Sequence, residues 1–177
     1  MKIDIVAAIA EDFAVVSNLF ELYAYDLSEF MGFDVGHKGR YGLPQSLWNY
    51  WGGAAGTGEL KWPADWRGFP FLVRADDKLA GFALIRQLSE AHLDMGEFFI
   101  LRKYRRTGLG AHVAWDMFDR FPGTWEVREL PPNLPAQSFW RKIISDYTGG
   151  KFEEGRKFFD AYRGEFVFQR FKSRTAK

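Results

Sequence analysis

Met95-Gly96-Glu97-Phe98-Phe99-Ile100-Leu101 runs, three residues later, into Arg105-Arg106-Thr107-Gly108-Leu109-Gly110-Ala111, and the junction between the two segments decides the fold. The first segment is largely apolar and rich in aromatic residues, which reads as a buried strand. Beyond the second, Leu109, Val113, Met117 and Phe121 recur every four residues and mark one face of a helix. A glycine-rich turn from strand into helix leaves a cluster of backbone N–H groups without partners. With the helix dipole behind them, those groups form a binding site for an anion such as a pyrophosphate. Gly108 and Gly110 would let that anion approach the main chain, because no Cβ stands in the way. Arg102, Lys103, Arg105 and Arg106 add positive charge beside the turn.

Two familiar phosphate motifs fit poorly. A P-loop requires Gly-Lys-Ser/Thr, and here Gly110 is followed by Ala111 and His112. A dinucleotide fingerprint needs a third glycine where Val113 stands. A third pattern fits better: Arg-x-x-Gly-x-Gly/Ala after a strand, then Asn-x-x-Ala-x-x-aromatic-aromatic. The first element is Arg105 to Gly110; the second is Asn133-Leu134-Pro135-Ala136-Gln137-Ser138-Phe139-Trp140. Between them fit one helix (Leu109 to Phe121), a turn at Pro122-Gly123 and a strand from Thr124 to Leu130. In this the C-terminal half resembles the GNAT superfamily of acyl-CoA-dependent N-acyltransferases, while the N-terminal half agrees in its order of elements.

The resemblance implies acetyl-CoA as acyl donor and an amine as acceptor. Backbone N–H groups from Arg106 through Thr107, Gly108, Leu109 and Gly110 to Ala111 would hold the pyrophosphate. Main-chain groups of Ile100 and Leu101 would pair with the pantetheine arm, and Asn133 would contact that arm or its ordered water. Asn133 before Leu-Pro-Ala is also good helix-capping chemistry. Trp140 stands where many members carry a tyrosine that protonates the leaving thiolate, and indole cannot do so. That leaves Tyr147, Tyr104 or solvent as the proton source, since a thiol of pKa about 8.5 can leave as the anion.

Glu97 is the candidate general base, a carboxylate inside an apolar strand where burial would raise its pKa. Glu129 and Asp94 are weaker alternatives, and a solvent-facing or arginine-paired Glu97 is the structural reading. Gly96, within the same strand, reads either as a bulge opening the sheet or as close packing against a neighbour.

At 177 residues the chain is long enough for one domain, 1–177, with a sizeable core. A formal net charge of +1 gives no global field to recruit nucleic acid or an acidic membrane. With no cysteine, disulfides, thiolate metal sites and a thiol nucleophile are excluded. His37, His92 and His112 are too scattered to suggest a metal site. The N-terminus does not resemble a signal peptide and no apolar run approaches about 18 residues, so a soluble, cytoplasmic protein is expected.

The remaining elements follow from periodicity. Lys2 to Ala7 reads as a strand; Phe13, Val16, Phe20, Tyr23, Leu27 and Phe30 mark an amphipathic helix with Asp12 as N-cap. Gln45 to Trp51 is helical, Phe71 to Ala75 and Leu79 to Gln87 form a hairpin about Asp76-Asp77-Lys78, and His92 to Leu101 continues the meander. A helix over Ala136 to Ser145 and a closing hairpin, Lys157 to Tyr162 and Glu165 to Phe171 about Arg163-Gly164, complete the chain. The order β-α-(α)-β-β-β-α-β-α-β-β predicts an α/β (α+β) fold with a mixed, mostly antiparallel sheet flanked by helices.

The aromatic stretch from Gly32 to Gly68, with Asp34, His37, Tyr41, Trp48, Tyr50, Trp51 and Trp66, is where this architecture places the acceptor. A small-molecule or peptide amine is the expected partner; membrane is not, nucleic acid is disfavoured, and a monomer or a homodimer is equally compatible. The competing reading is a non-catalytic CoA- or nucleotide-binding module, or an RNA-binding surface, on the same fold.

Overall fold

The computed structural model describes residues 1–42, 45–52, 66–159 and 164–174. Its strands are β1 (Ile3–Ala7), β2 (Arg67–Ala75), β3 (Lys78–Ser89), β4 (His92–Ile100), β5 (Thr124–Glu129), β6 (Glu153–Phe159) and β7 (Gly164–Lys172). Its α-helices are α1 (Phe13–Met31), α2 (Leu109–Arg120) and α3 (Leu134–Thr148), and Gln45–Trp51 is a 3-10 helix. The strands form one sheet in the order β1-β2-β3-β4-β5-β7-β6. Every neighbouring pair is antiparallel except β4 and β5. The expected fold class and element order hold.

Alternation along the strands divides the core between the two faces of the sheet. On one face α2 and α3 cover Val73, Ile85, Leu93, Trp125 and Phe171. On the other, α1 buries Val16, Leu19 and Phe20 against Leu72, Phe82, Leu84 and Phe99, with Leu47 and Tyr50 of the 3-10 helix beside them. Each fully buried large side chain contributes about 1.5–3 kcal/mol from apolar area alone. That stripe, at spacings of three and four, makes α1 a helix bound to the sheet.

Boundaries differ from expectation in three places. β2 begins at Arg67, because Gly68 and Pro70 pair only with β3 after β1 has ended at Ala7↔Phe71; a proline is tolerated there because no ladder on its other side needs its N–H. α3 extends to Thr148 and closes on Gly149 at φ 65°. β6 begins at Glu153, and the turn expected about Arg163, with the end of its first strand, falls outside the described residues. Asp12 precedes α1 without a side-chain capping bond to it; its carboxylate accepts from the Ile9 N–H at 3.0 Å instead.

The hairpin of β2 and β3 turns through Asp76 and Asp77 at φ 49° and 62°. Two positive φ values give the twist that joins antiparallel strands with a two-residue loop, and aspartate tolerates them better than most residues.

Candidate active site

The strands β4 and β5 pair over three positions, His92↔Thr124, Leu93↔Trp125 and Asp94↔Glu126, and then part. The cause lies in β4. Leu84↔Glu97 is followed by Ile85↔Met95, so Gly96 is an extra residue, a bulge facing β3. A Cβ on Gly96 would lie 2.1 Å from the Tyr50 hydroxyl and 2.9 Å from the Leu84 carbonyl oxygen. The two sequence readings of this glycine are therefore both realised: it forms a bulge, and it is closely packed. A bulge bends its strand, and beyond it a cleft of about 440 Å³ opens between β4 and β5.

Glu97 stands in this cleft with Asn133, Trp140 and Arg128. Its Oε2 accepts from the Tyr23 hydroxyl of α1 at 2.9 Å. Burial raises the Glu97 pKa, opposed in part by the Arg86 guanidinium and by the Tyr23 hydrogen bond. Asp94 differs. Burial alone would raise its pKa, but Arg86, at 2.7 Å, and Arg128 outweigh it and hold the carboxyl low. It is a locked counter-ion beneath the cleft rather than a proton acceptor. Glu126 pairs similarly with Arg170 at 2.7 Å. Tyr23, Arg86 and Arg128 were not singled out from sequence.

Glu129 lies on the opposite face, with Val127 and Trp125, in the cleft wall. Burial pushes its carboxyl up to about 8, and nearby Glu154 acts in the same direction. Neither oxygen has a hydrogen-bond partner among the described residues. The Gln169 amide and Arg141 favour the anion and oppose the rise only in part, the amide also donating to Glu154 at 3.1 Å. The folded state thus holds a proton that the unfolded chain releases near 4.5. This contribution to stability is complete below that value and is lost as pH rises through 8. At about 1.36 kcal/mol per unit the whole loss is of order 5 kcal/mol. Replacing Glu129 by Gln should flatten the fall in Tm between pH 5 and pH 9 by about 10 °C, as read by calorimetry. Parallel curves for the two proteins would show that Glu129 folds as the anion.

The glycine turn lies at the end of β4. Arg105 donates from Nε to the Ile100 carbonyl at 2.7 Å, and with Arg102 pairs with Asp26 of α1. Thr107 Oγ1 donates to the Tyr104 carbonyl at 2.7 Å, and Arg106 takes a left-handed φ of 62°. Gly108, at φ 87°, is the N-cap of α2 and supplies no side-chain cap. Helix geometry then leaves the amides of Leu109, Gly110 and Ala111 without intrahelical acceptors; the His112 N–H is the first to bond back, to Gly108 at 3.1 Å. The two glycines differ in purpose. A Cβ on Gly108 would meet nothing within 4 Å, whereas one on Gly110 would lie 3.1 Å from the Phe139 ring of α3. The space above Gly108 is open, and Gly110 lets α2 and α3 pack.

Of the two main-chain positions expected to line the opening, Leu101 faces away. Its N–H donates to Ala80 at 2.9 Å and its carbonyl accepts from Tyr104 at 2.9 Å. Alternation then turns the backbone groups of Ile100 and Phe98 toward the opening. Asn133 caps α3, its Oδ1 accepting from the Ala136 N–H at 3.1 Å, and still lines the cleft. Trp140 packs on Phe98 and Phe139, with ring centroids 4.9 and 5.0 Å away. Tyr147 is no proton source for the cleft. It is buried in the core, its hydroxyl donates to Asp119 at 2.6 Å, and burial raises its pKa to about 12. From the aromatic stretch Tyr41 and Phe33 reach the cleft, while Tyr50 is core and Asp34 and His37 are exposed.

Comparison with known proteins agrees with this geometry. The model of the acetyltransferase (GNAT) family matches residues 41–144, more than half of the chain. No curated protein matches it in sequence. Among solved structures, a GNAT-family acetyltransferase from Staphylococcus aureus aligns with TM-score 0.61 and 12% identity, covering 97% of this chain and 100% of its own. The ribosomal-protein-S18-alanine N-acetyltransferase of Escherichia coli aligns with TM-score 0.56 and 16% identity, over 99% and 97%. A Bacillus subtilis acetyltransferase in complex with CoA aligns with TM-score 0.54 and 11% identity, over 97% and 99%. At such identities these likenesses speak for the fold, and the family match over residues 41–144 carries the rest: the chain belongs to the GNAT acetyltransferase family.

Proposed function

We propose that residues 1–177 act as one N-acetyltransferase domain that moves an acetyl group from acetyl-CoA to a primary amine by direct attack. The observation that carries this reading is the parting of β4 from β5, with Glu97 on one wall and an uncapped helix N-terminus at its end. The amides of Leu109, Gly110 and Ala111, with Gly108 open above them, suit a pyrophosphate. The backbone groups of Phe98 and the N–H of Ile100, whose carbonyl is taken by Arg105, suit an extended amide-bearing arm laid along β4 as an extra strand would be. Asn133, fixed by its capping bond, presents its amide to the same cleft. The CoA complex of the B. subtilis relative supports the assignment of the donor.

Glu97 takes the proton from the attacking amine, directly or through one water. The amine nitrogen bonds to the acyl carbon, a backbone N–H of β4 stabilises the oxyanion, and the C–S bond breaks. Trp140 has no proton to give at neutral pH and Tyr147 lies in the core, which leaves solvent or Tyr104 to protonate the departing thiolate.

Calorimetric titration with acetyl-CoA, with adenosine 3′,5′-bisphosphate as control, tests the donor site. Stoichiometric binding followed by thiol release with an amine is the expected result. Binding without turnover on any amine would leave a CoA-binding module; no binding would sink the donor assignment.

A further inference from the structure

Among the described residues, the acceptor side of the cleft is built from apolar groups around one reachable carboxylate, Glu97. Leu27 and Met31, one turn apart on α1, stand with Phe33, Tyr41 and Phe166 at its mouth. Phe33 and Tyr41 meet edge to face at 5.5 Å, forming a two-ring wall. Met31 and Phe33 keep 53% and 36% of their surface exposed there, an apolar lip with an opening below it. The acidic groups lining the cleft, among the described residues, are Glu97 and Glu129, and Glu129 belongs to the α3 face. The floor contributes positive charge: Arg128, paired with Asp94 and lying 4.7 Å under the Phe159 ring.

We propose that the acceptor is a small monoamine on an aromatic or branched aliphatic body, seated with its nitrogen toward Glu97 and its body against Phe33, Tyr41, Met31 and Leu27. This rests on the acyl-transfer reading above and adds the class of acceptor. A polyamine or aminoglycoside carries several cations that need several carboxylates. Among the described residues it would meet one reachable carboxylate, an arginine and rings. The aromatic faces can stabilise one ammonium on its way in and then pack the apolar body. Size limits the body as well. The cleft bounded by the described residues, about 440 Å³, also takes the thioester end of the donor, which favours a ring or short branched chain over a run of peptide.

The test measures acetyl-CoA binding by calorimetry and thiol release with 2-phenylethylamine, 3-methylbutylamine, spermidine, kanamycin and a hexapeptide, all on one protein preparation. The kcat/KM for the two apolar monoamines should exceed that for spermidine by about 100-fold. Phe33→Asp should reduce this preference at least about tenfold, through KM, with the Kd for acetyl-CoA unchanged. Donor binding with spermidine, kanamycin or the peptide preferred, or a preference unmoved by Phe33→Asp, overturns this inference alone. Absence of donor binding overturns the acyl-transfer reading and this inference with it.

Discussion

Replacing Gly108 by leucine is expected to weaken acetyl-CoA binding by more than about 100-fold while costing the fold little, because in the proposed donor site the pyrophosphate reaches the backbone amides through the open space above them. The residue sits at φ 87° with nothing within 4 Å of where a Cβ would project. A Cβ there meets no steric wall in the protein, so the main cost is the left-handed backbone penalty of about 1–2 kcal/mol. That corresponds to a fall in Tm of a few degrees for a chain of this size. Its side chain, however, stands beside the three unpartnered amides of α2. Gly110→Leu is the instructive contrast. Its Cβ would press on Phe139 at 3.1 Å, so it should lower Tm more than Gly108→Leu does. Calorimetric titration and scanning calorimetry on both variants separate the roles. Unchanged affinity in Gly108→Leu would mean that the turn is a connector and holds no phosphate.

The elements that were legible in the sequence are those whose local signal and tertiary role coincide. Asp76-Asp77 specified its hairpin because the loop geometry is set within the turn. Gly96 could be read as either a bulge or a close approach, because glycine inside an apolar strand has few other uses, and both are present. Asn133 could be read as a cap from the residues after it. β6 was placed late because Glu153-Glu154-Gly155-Arg156-Lys157 carries no apolar alternation. As the outermost strand of the sheet it has one strand neighbour, and its charges suit an unpaired edge.

The site was legible in part for the same reason. Glu97 stood out as a charge in an apolar strand, but its partner Tyr23 lies 74 residues away on α1, beyond the reach of any local pattern. Arg86 and Arg128 were missed although a signal existed. Glu126 and Arg128 alternate with Trp125 and Val127, which places the charged pair on the face away from α2 and α3. Asking what could balance two charges on that face would have led to Asp94 and Arg86. The distinct duties of Gly108 and Gly110 needed the packing of α3 on α2, which no spacing within the turn encodes.

Glu97→Gln is expected to lower kcat by about 10²–10⁴-fold, the usual range for loss of a positioned general base, with acetyl-CoA affinity retained. The pH profile makes this specific. Glu97 accepts a proton only as the carboxylate, so activity rises with pH through its pKa, and burial sets that rise above the ordinary carboxylate range. In Glu97→Gln this acidic limb should disappear along with the rate. Tyr23→Phe supplies the signed test. The Tyr23 hydroxyl donates to Glu97 at 2.9 Å and favours the charged form, lowering the pKa against burial. Its removal should move the acidic limb of kcat to higher pH while the alkaline plateau persists, because Phe leaves the base itself in place. A purely structural Glu97 would respond differently: both variants would lose stability, and neither would shift the limb. A limb moving to lower pH in Tyr23→Phe would assign the titration to another group, and an activity loss under tenfold in Glu97→Gln would remove Glu97 from the chemistry.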